Sequence, residues 1–424
     1  MVSLAVAMGL GRFAFTPLLP MMLNEGSVDL AGASWLASAN YLGYMIGALL
    51  CTLQPWIWSR IGGLPALSYA ALVKAGLVAT AVLTLAMAVP WPGAWPSLRF
   101  GAGIASAVVF VFTAGWCMAR IARLGAPSVG GVIFAGPGLG IVISGLSAGG
   151  MAASNWTAAA GWLIFGLIAA ALTATVWRTF RGGEERLAPL AKRQEDRKVD
   201  RKEDGKRDVA AAQPPSSGSR HGGGASEMAL LALSYGLAGF GYIITATFLP
   251  VIAREAIPDF AWLDLFWPIF GIGVVAGALL ATRIPPGGDK RYLLAGAYVF
   301  QALGIAISLW RPTPAGFAIG SLMLGLPFTA ITFFAMQEVR RLRESAAASF
   351  MGLLTATYGV GQIVGPPLVA ILIARSATTD AGFTLSLQMA AGALLSGAAF
   401  YLSMIRIWPL RRLDRQAQAP GGVS

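Results

Sequence analysis

Histidine is all but missing from this chain, and cysteine nearly so. Among 424 residues there is one histidine, His221, and it lies in a polar stretch. No histidine-based metal site, triad or proton relay can be built in the apolar part of the chain. Cys51 and Cys117 both sit in apolar runs, so no disulfide framework is indicated. Charge is scarce too: 12% of residues are charged, where a soluble domain carries about 25%. No long apolar run has an Asp or Glu near its centre; Asp264 and Glu338 fall at run ends. A proton or sodium site inside a membrane usually needs such a carboxylate. General acid–base chemistry has no evident performer either. The expectation is a protein that is not an enzyme and holds no metal or cofactor.

What is abundant is apolar sequence. Hydrophobic residues make up 56% of the chain, with 53 Gly and 24 Pro, a composition suited to helices in a bilayer. Twelve spans are expected, each bounded by polar or Pro/Gly loops. The first six are Val2–Leu23, Ala33–Leu53, Leu64–Val89, Ser97–Ile121, Val129–Met151 and Thr157–Trp177. The last six are Glu227–Ala253, Leu263–Thr282, Arg291–Trp310, Ala315–Glu338, Ser349–Ala374 and Gly382–Ile407. No Lys or Arg precedes the first run and no small-residue cleavage site follows it, so it reads as a span and not a signal peptide.

Loop charges orient the spans. One side carries Arg60, Arg120, Arg123, Lys290, Arg291, Arg340, Arg341 and Arg343, and then the tail arginines. The other mixes Glu25, Asp29, Glu255 and Asp259 with few cations. The positive-inside rule then puts both termini in the cytoplasm and the protein in the inner (plasma) membrane. The net charge of +12 does not point to nucleic acid, because the cations are confined to loops, linker and tail. Expected partners are a small-molecule substrate and membrane lipids, with the chain acting as a monomer.

The stretch Gly9–Pro20, GLGRFAFTPLLP, lies within the first span and holds Arg12. A central Arg costs about 2.5–3.5 kcal/mol on insertion scales, so a charge there points to function. The stretch returns 230 positions later as GFGYIITATFLP, where Gly239, Gly241, Leu249 and Pro250 match and Tyr242 takes the place of Arg12. GYMIGALL at Gly43–Leu50 matches GVVAGALL at Gly273–Leu280, and Gly136-Pro137 matches Gly365-Pro366. Six spans per half is an even number, so the halves form a parallel repeat. That arrangement places a substrate site near the midplane between them. The fold class is therefore an all-α membrane protein of two six-helix halves. Residues 1–178 and 227–408 are the halves, 179–226 a disordered linker and 409–424 a cytoplasmic tail.

Six plus six spans with a charged central loop resemble the major facilitator superfamily. More narrowly, GRFAFTPLLP, WLASANYLGYMIGALL, GFGYIITATFLP and GVGQIVGPPL resemble its YbfB/YjiJ-like branch. Arg99 and Gly103 match the superfamily pattern of span 4. Gly131, Gly136, Pro137 and Gly140 resemble the span 5 motif associated with exchangers. The loop after span 2 keeps Arg60 and its glycines but lacks the usual acid. The resemblance implies alternating access.

Arg12 is a ligand for an anionic group, since guanidinium binds carboxylate or phosphate bidentately. The alternative is a structural Arg bonded to backbone carbonyls. Thr16 shares its face. Asn40 is interhelical glue or a cavity donor, and Tyr41 and Tyr44 are wall residues. Tyr242, Thr245, Tyr358 and Gln362 are the polar set of the second half. Arg99 either snorkels to the outer interface or has a structural or coupling role, as the resemblance implies. Lys74 snorkels or packs. Gly136, Pro137, Gly365 and Pro366 kink their helices and suit rocking or plain packing.

The expected function is secondary active transport of a small organic anion. The alternatives are export of amphipathic compounds, as a drug exporter does, and a non-transporting membrane receptor. The composition of the linker cannot bury enough apolar surface to fold. Removing residues 183–222 should leave membrane insertion and transport nearly intact; transport lost at normal membrane levels would make the linker a working element.

Overall fold

The computed structural model describes residues 1–61, 68–123, 127–181, 224–258, 260, 262–284, 288–343 and 347–410. Among the described residues twelve helices are long and apolar enough to cross a membrane. They are α1 (Val2–Asn24), α2 (Leu30–Gln54), α3 (Tyr69–Ala86), α4 (Trp95–Cys117), α5 (Gly131–Ala153) and α6 (Ala158–Val176). The second six are α7 (Gly224–Ala256), α8 (Leu263–Ala281), α9 (Lys290–Trp310), α10 (Pro314–Leu342), α11 (Phe350–Arg375) and α12 (Thr379–Ile407). An even number of crossings brings the chain back to the side where it began, here named the terminal side; the other is the distal side. Most of the expected linker and tail lies outside the described residues, as do residues 62–67 between α2 and α3.

Helix starts are set by local chemistry. Thr157, Thr313 and Thr378 cap α6, α10 and α12, each accepting from the backbone N–H three residues on. Such a cap is worth about 1 kcal/mol over Ala. Ser68 caps α3 in the same way. Glu25, just beyond α1, accepts from the Ala158 N–H at 2.6 Å, so its charge sits at the positive end of α6.

Small residues bring the helices together. A Cβ on Gly43 would strike the Phe100 carbonyl of α4, and one on Gly47 would lie 3.0 Å from the Ile104 carbonyl. In the second half Gly273 approaches the Leu322 carbonyl of α10 and Gly277 that of Leu326. The repeated glycines thus make equivalent contacts, α2 to α4 and α8 to α10. This is the small-residue packing of membrane helices, where close backbone approach supplies the attraction.

Three expected helices depart from regular α-geometry. Residues Ala5–Phe13 of α1 are π-helical, and the α-helix resumes over Phe15–Asn24. The first part of α5 is a 3-10 stretch, Pro127–Ala135, so Pro137 falls in the first turn of the α-helical part. A missing N–H costs nothing there, and Pro137 marks a junction within the span where a kink was expected. In α10 the α-helix stops at Gly325 and restarts at Phe328, because Pro327 cannot donate to the preceding turn.

α1 and α7 form the centre, and α1 is buried along nearly its whole length. Between the halves, the Thr16 hydroxyl donates to the Ala246 carbonyl at 3.1 Å, and the Ser38 hydroxyl to the Ile363 carbonyl at 2.8 Å. α5 meets α8 through Gly138, where a Cβ would lie 2.7 Å from the Gly271 carbonyl and 2.8 Å from Val275. Gly136 instead faces Met1 and Leu4 of its own half. Gly138→Leu should lower the thermal midpoint in detergent, by overpacking of about 1–3 kcal/mol. Gly150→Ala should not, since nothing lies within 4 Å of a Cβ there. Equal midpoints would mean that α5 and α8 part without cost.

Candidate functional site

The site begins with the backbone of α1. In a π-helix the carbonyl of residue i pairs with the N–H of residue i+5. For Arg12 that residue is Pro17, which has no N–H. A bilayer offers no water to replace it. Arg99 of α4 supplies the donor: its Nη2 bonds the Arg12 carbonyl at 3.0 Å and its Nη1 the Gly11 carbonyl at 3.2 Å. Arg99 is 2% exposed. It does not snorkel to an interface; it points inward to the Arg12 carbonyl, which Pro17 leaves without its backbone donor. The rings of Phe15 and Trp162 lie 5.0 and 5.9 Å from its guanidinium carbon. The Asn40 amide donates to the Arg99 carbonyl at 2.9 Å, which fixes α2 to α4 at this level.

With its own carbonyl satisfied by Arg99, the Arg12 side chain crosses to the other half. Its Nη2 donates to Gln362 Oε1 on α11 at 2.8 Å. The Gln362 amide in turn donates to the Tyr242 hydroxyl on α7. The guanidinium carbon lies 4.0 Å from the centre of the Tyr44 ring and 5.2 Å from that of Tyr41. A cation over a tyrosine face is held by about 0.5–2 kcal/mol, more where water is excluded. Arg12 is 3% exposed and its Nε–H has no acceptor. No acid among the described residues forms an ion pair with Arg12 or Arg99. A buried, uncompensated positive charge therefore stands at the interface of the halves.

Beside it runs a wall of aromatic rings. Tyr242 stacks on Tyr358 at 5.7 Å, and Tyr358 on Tyr235 at 4.6 Å. Phe328, just past the break in α10, meets Tyr242 edge-on at 4.9 Å. Tyr44 and Tyr358 are only partly buried.

The expected site residues do not all meet. Arg12, Tyr44, Tyr242, Tyr358 and Gln362 form one constellation. Tyr41 and Thr16 tie the halves on its distal side, through the Thr247 hydroxyl at 2.8 Å and the Ala246 carbonyl. The Thr245 hydroxyl is buried without a partner. Gly365 packs on Ile243 and Ile244 of α7, and Pro366 lies inside α11.

One cluster escaped the reading by composition, because each member seemed a loop or end charge. On the terminal side of the second half, Arg291 bonds Glu227 at 3.0 Å and Asp289 at 2.7 Å. Arg341 bonds Glu227 at 2.7 Å and Glu338 at 2.6 Å. Burial works to raise the Asp289 carboxyl, but the hydrogen bonds and charge of Arg291 prevail and hold it below its ordinary value. The signal available was the coincidence of acids and arginines at the same ends of α7, α9 and α10. Among the described residues no group of His, Cys, Asp and Glu could hold a metal ion.

Comparison with known proteins places this geometry. The family described as "Uncharacterised MFS-type transporter YbfB" matches residues 4–203 and 206–402. No curated protein sequence matches the chain. Among solved structures, a mutant of the nucleoside transporter NupG is similar over 95% of this chain and 100% of that one. Its TM-score is 0.60 and the identity 19%, a likeness of fold alone. With the family's profile running through both halves, the chain belongs to the YbfB-like family of major facilitator transporters.

Proposed function

We infer that this membrane transporter is a secondary carrier for a small organic anion. It works as a monomer by alternating access of its two halves, performs no catalysis, and lies in the inner membrane with its termini in the cytoplasm. The observation that carries the reading is Arg12: buried, bonded across the interface only to a neutral amide, with an N–H left without an acceptor. A carboxylate would satisfy it better than Gln362 does. A carboxylate brings the opposite charge to a buried cation that now has only a neutral acceptor, and a bidentate pair adds geometry. Because Arg12 belongs to one half and Gln362 and Tyr242 to the other, a ligand between them would couple binding to the relative position of the halves. The loop cations on the terminal side support the orientation. The tyrosine wall favours a second reading, export of flat amphipathic compounds, in which rings bind the cargo and Arg12 only orders the helices.

One panel separates the two. Aliphatic and aromatic carboxylates should raise the thermal midpoint of the wild type. Arg12→Lys should keep a weaker response, and Arg12→Ala none. Gln362→Glu guards against a variant that merely misfolds: it gives Arg12 a built-in carboxylate, so it should hold or raise the midpoint without ligand yet lose the response. A wild type that answers neutral or cationic amphiphiles and ignores carboxylates would sink the anion reading in favour of export. A Gln362→Glu variant that still answers carboxylates would remove Arg12 from the site.

A further inference from the structure

A groove of about 430 Å³ runs along the outside of the first half, between α3 and α6. It exists because α6 is alanine-rich towards the terminal side. Ala170 and Ala174 leave unfilled the space that longer side chains would occupy against Val82 and Leu85 of α3. A lipid-facing surface that is merely apolar says nothing. This one differs in its mouth and in its floor.

At the mouth, two cations and an indole converge. Arg178 lines the terminal end of the groove beside Trp177. The Lys74 ammonium, one turn before Val78 on α3, lies 5.2 Å from the centre of the Trp177 ring. Lys74 is partly buried, and no acid among the described residues pairs with it or with Arg178. On the floor, Thr173 is 6% exposed, and its hydroxyl has no hydrogen-bond partner. It sits about one helical turn, or ~5.4 Å, deeper than Trp177. A buried hydroxyl without a partner inside an apolar groove is an unmet donor.

We propose that this groove is a binding site for one anionic phospholipid of the terminal-side leaflet. An acyl chain fills the space between α3 and α6. The phosphate lies between Lys74 and Arg178, with Trp177 at the level of the headgroup. The Thr173 hydroxyl donates to an ester oxygen one turn deeper. Basic pockets between membrane helices on the cytoplasmic side take anionic headgroups, and the orientation set by the loop charges puts this mouth on that side. The site lies away from the interface of the halves, so the lipid is a fixed companion of the first half and not cargo.

The test uses the full chain, stripped of lipid in detergent and titrated with phosphatidylglycerol or with phosphatidylcholine of the same chains, read by native mass spectrometry. One phosphatidylglycerol should be retained at concentrations at least tenfold below those needed for phosphatidylcholine. Lys74→Gln with Arg178→Gln should erase that preference. Ala174→Trp, which fills the groove and leaves the charges, should weaken both lipids, and Thr173→Val should weaken both less. Glycerol phosphate, a headgroup without chains, should not displace the lipid. Equal retention of the two lipids by the wild type, or an undiminished preference in the double variant, would leave only ordinary annular lipid and overturn the site. Full displacement by glycerol phosphate would make it a plain anion site and overturn the lipid.

Discussion

Inside a bilayer every backbone carbonyl must find its donor within the protein, and α1 cannot supply all of its own. Its sequence sets Gly9 and Gly11 before Arg12 and two prolines after it. The glycines let α1 lie against its neighbours: a Cβ on Gly9 would run into Gly140 of α5. Pro17 removes the donor that the π-helical stretch needs for the Arg12 carbonyl. Arg99 replaces that donor from α4, and Asn40 holds the carbonyl of Arg99 from α2. Three helices of the first half are thereby locked around one defect. The lock has a further effect, because it leaves the Arg12 side chain free of backbone duties. Of the two readings open for Arg12 in the sequence, bonding to backbone carbonyls is the work that Arg99 does.

The repeat gives the same positions different tasks. Arg12 and Tyr242 are equivalents, 230 residues apart, and both hydrogen-bond Gln362. Two related positions thus meet on one amide near the axis between the halves. A second Arg at 242 would set two guanidiniums on that amide with no acid to separate them. A second Tyr at 12 would leave no charge at all. The asymmetry of a single cation is therefore what gives the central region its sign. Among the described residues of the second half, Glu227, Asp289 and Glu338 are held at its terminal end by Arg291 and Arg341, and Asp264 is held at its distal end by Arg254. None is available to neutralise the centre.

How much of this was legible in the sequence follows from the range of each interaction. The twelve spans and their pairing into halves rest on hydropathy and on glycines recurring at one offset, and both are local patterns. Arg12 stood out because a charge amid twenty apolar residues is itself a local anomaly. The π-helical stretch was not legible, although Pro17 was in view, since its stability depends on Arg99 arriving from 87 residues away. The direction of Arg99 was ambiguous for the same reason: a cation near a span end can reach water or reach inward, and only the Arg12 carbonyl, left without its donor, decides. The break in α10 had a visible cause in Pro327. Gly136 announced a close approach without naming its partner, which is α1 of its own half.

The two buried arginines also differ in what a ligand could do for them. Arg99 spends both of its Nη groups on carbonyls of α1, and its neighbours are aromatic rings. An anion drawn to it would have to break the bonds that hold the π-helical stretch, and the Arg12 carbonyl would then be stranded at a cost of about 1–3 kcal/mol. Arg12 gives up far less. Its partner Gln362 is neutral, can turn its amide, and keeps Tyr242 as a second partner. The charge that costs least to recruit is thus the one placed between the halves, with the rings of Tyr44 and Tyr41 beside it. Division of labour between the two cations, one holding the backbone and the other left available, follows from where the prolines of α1 removed hydrogen-bond donors.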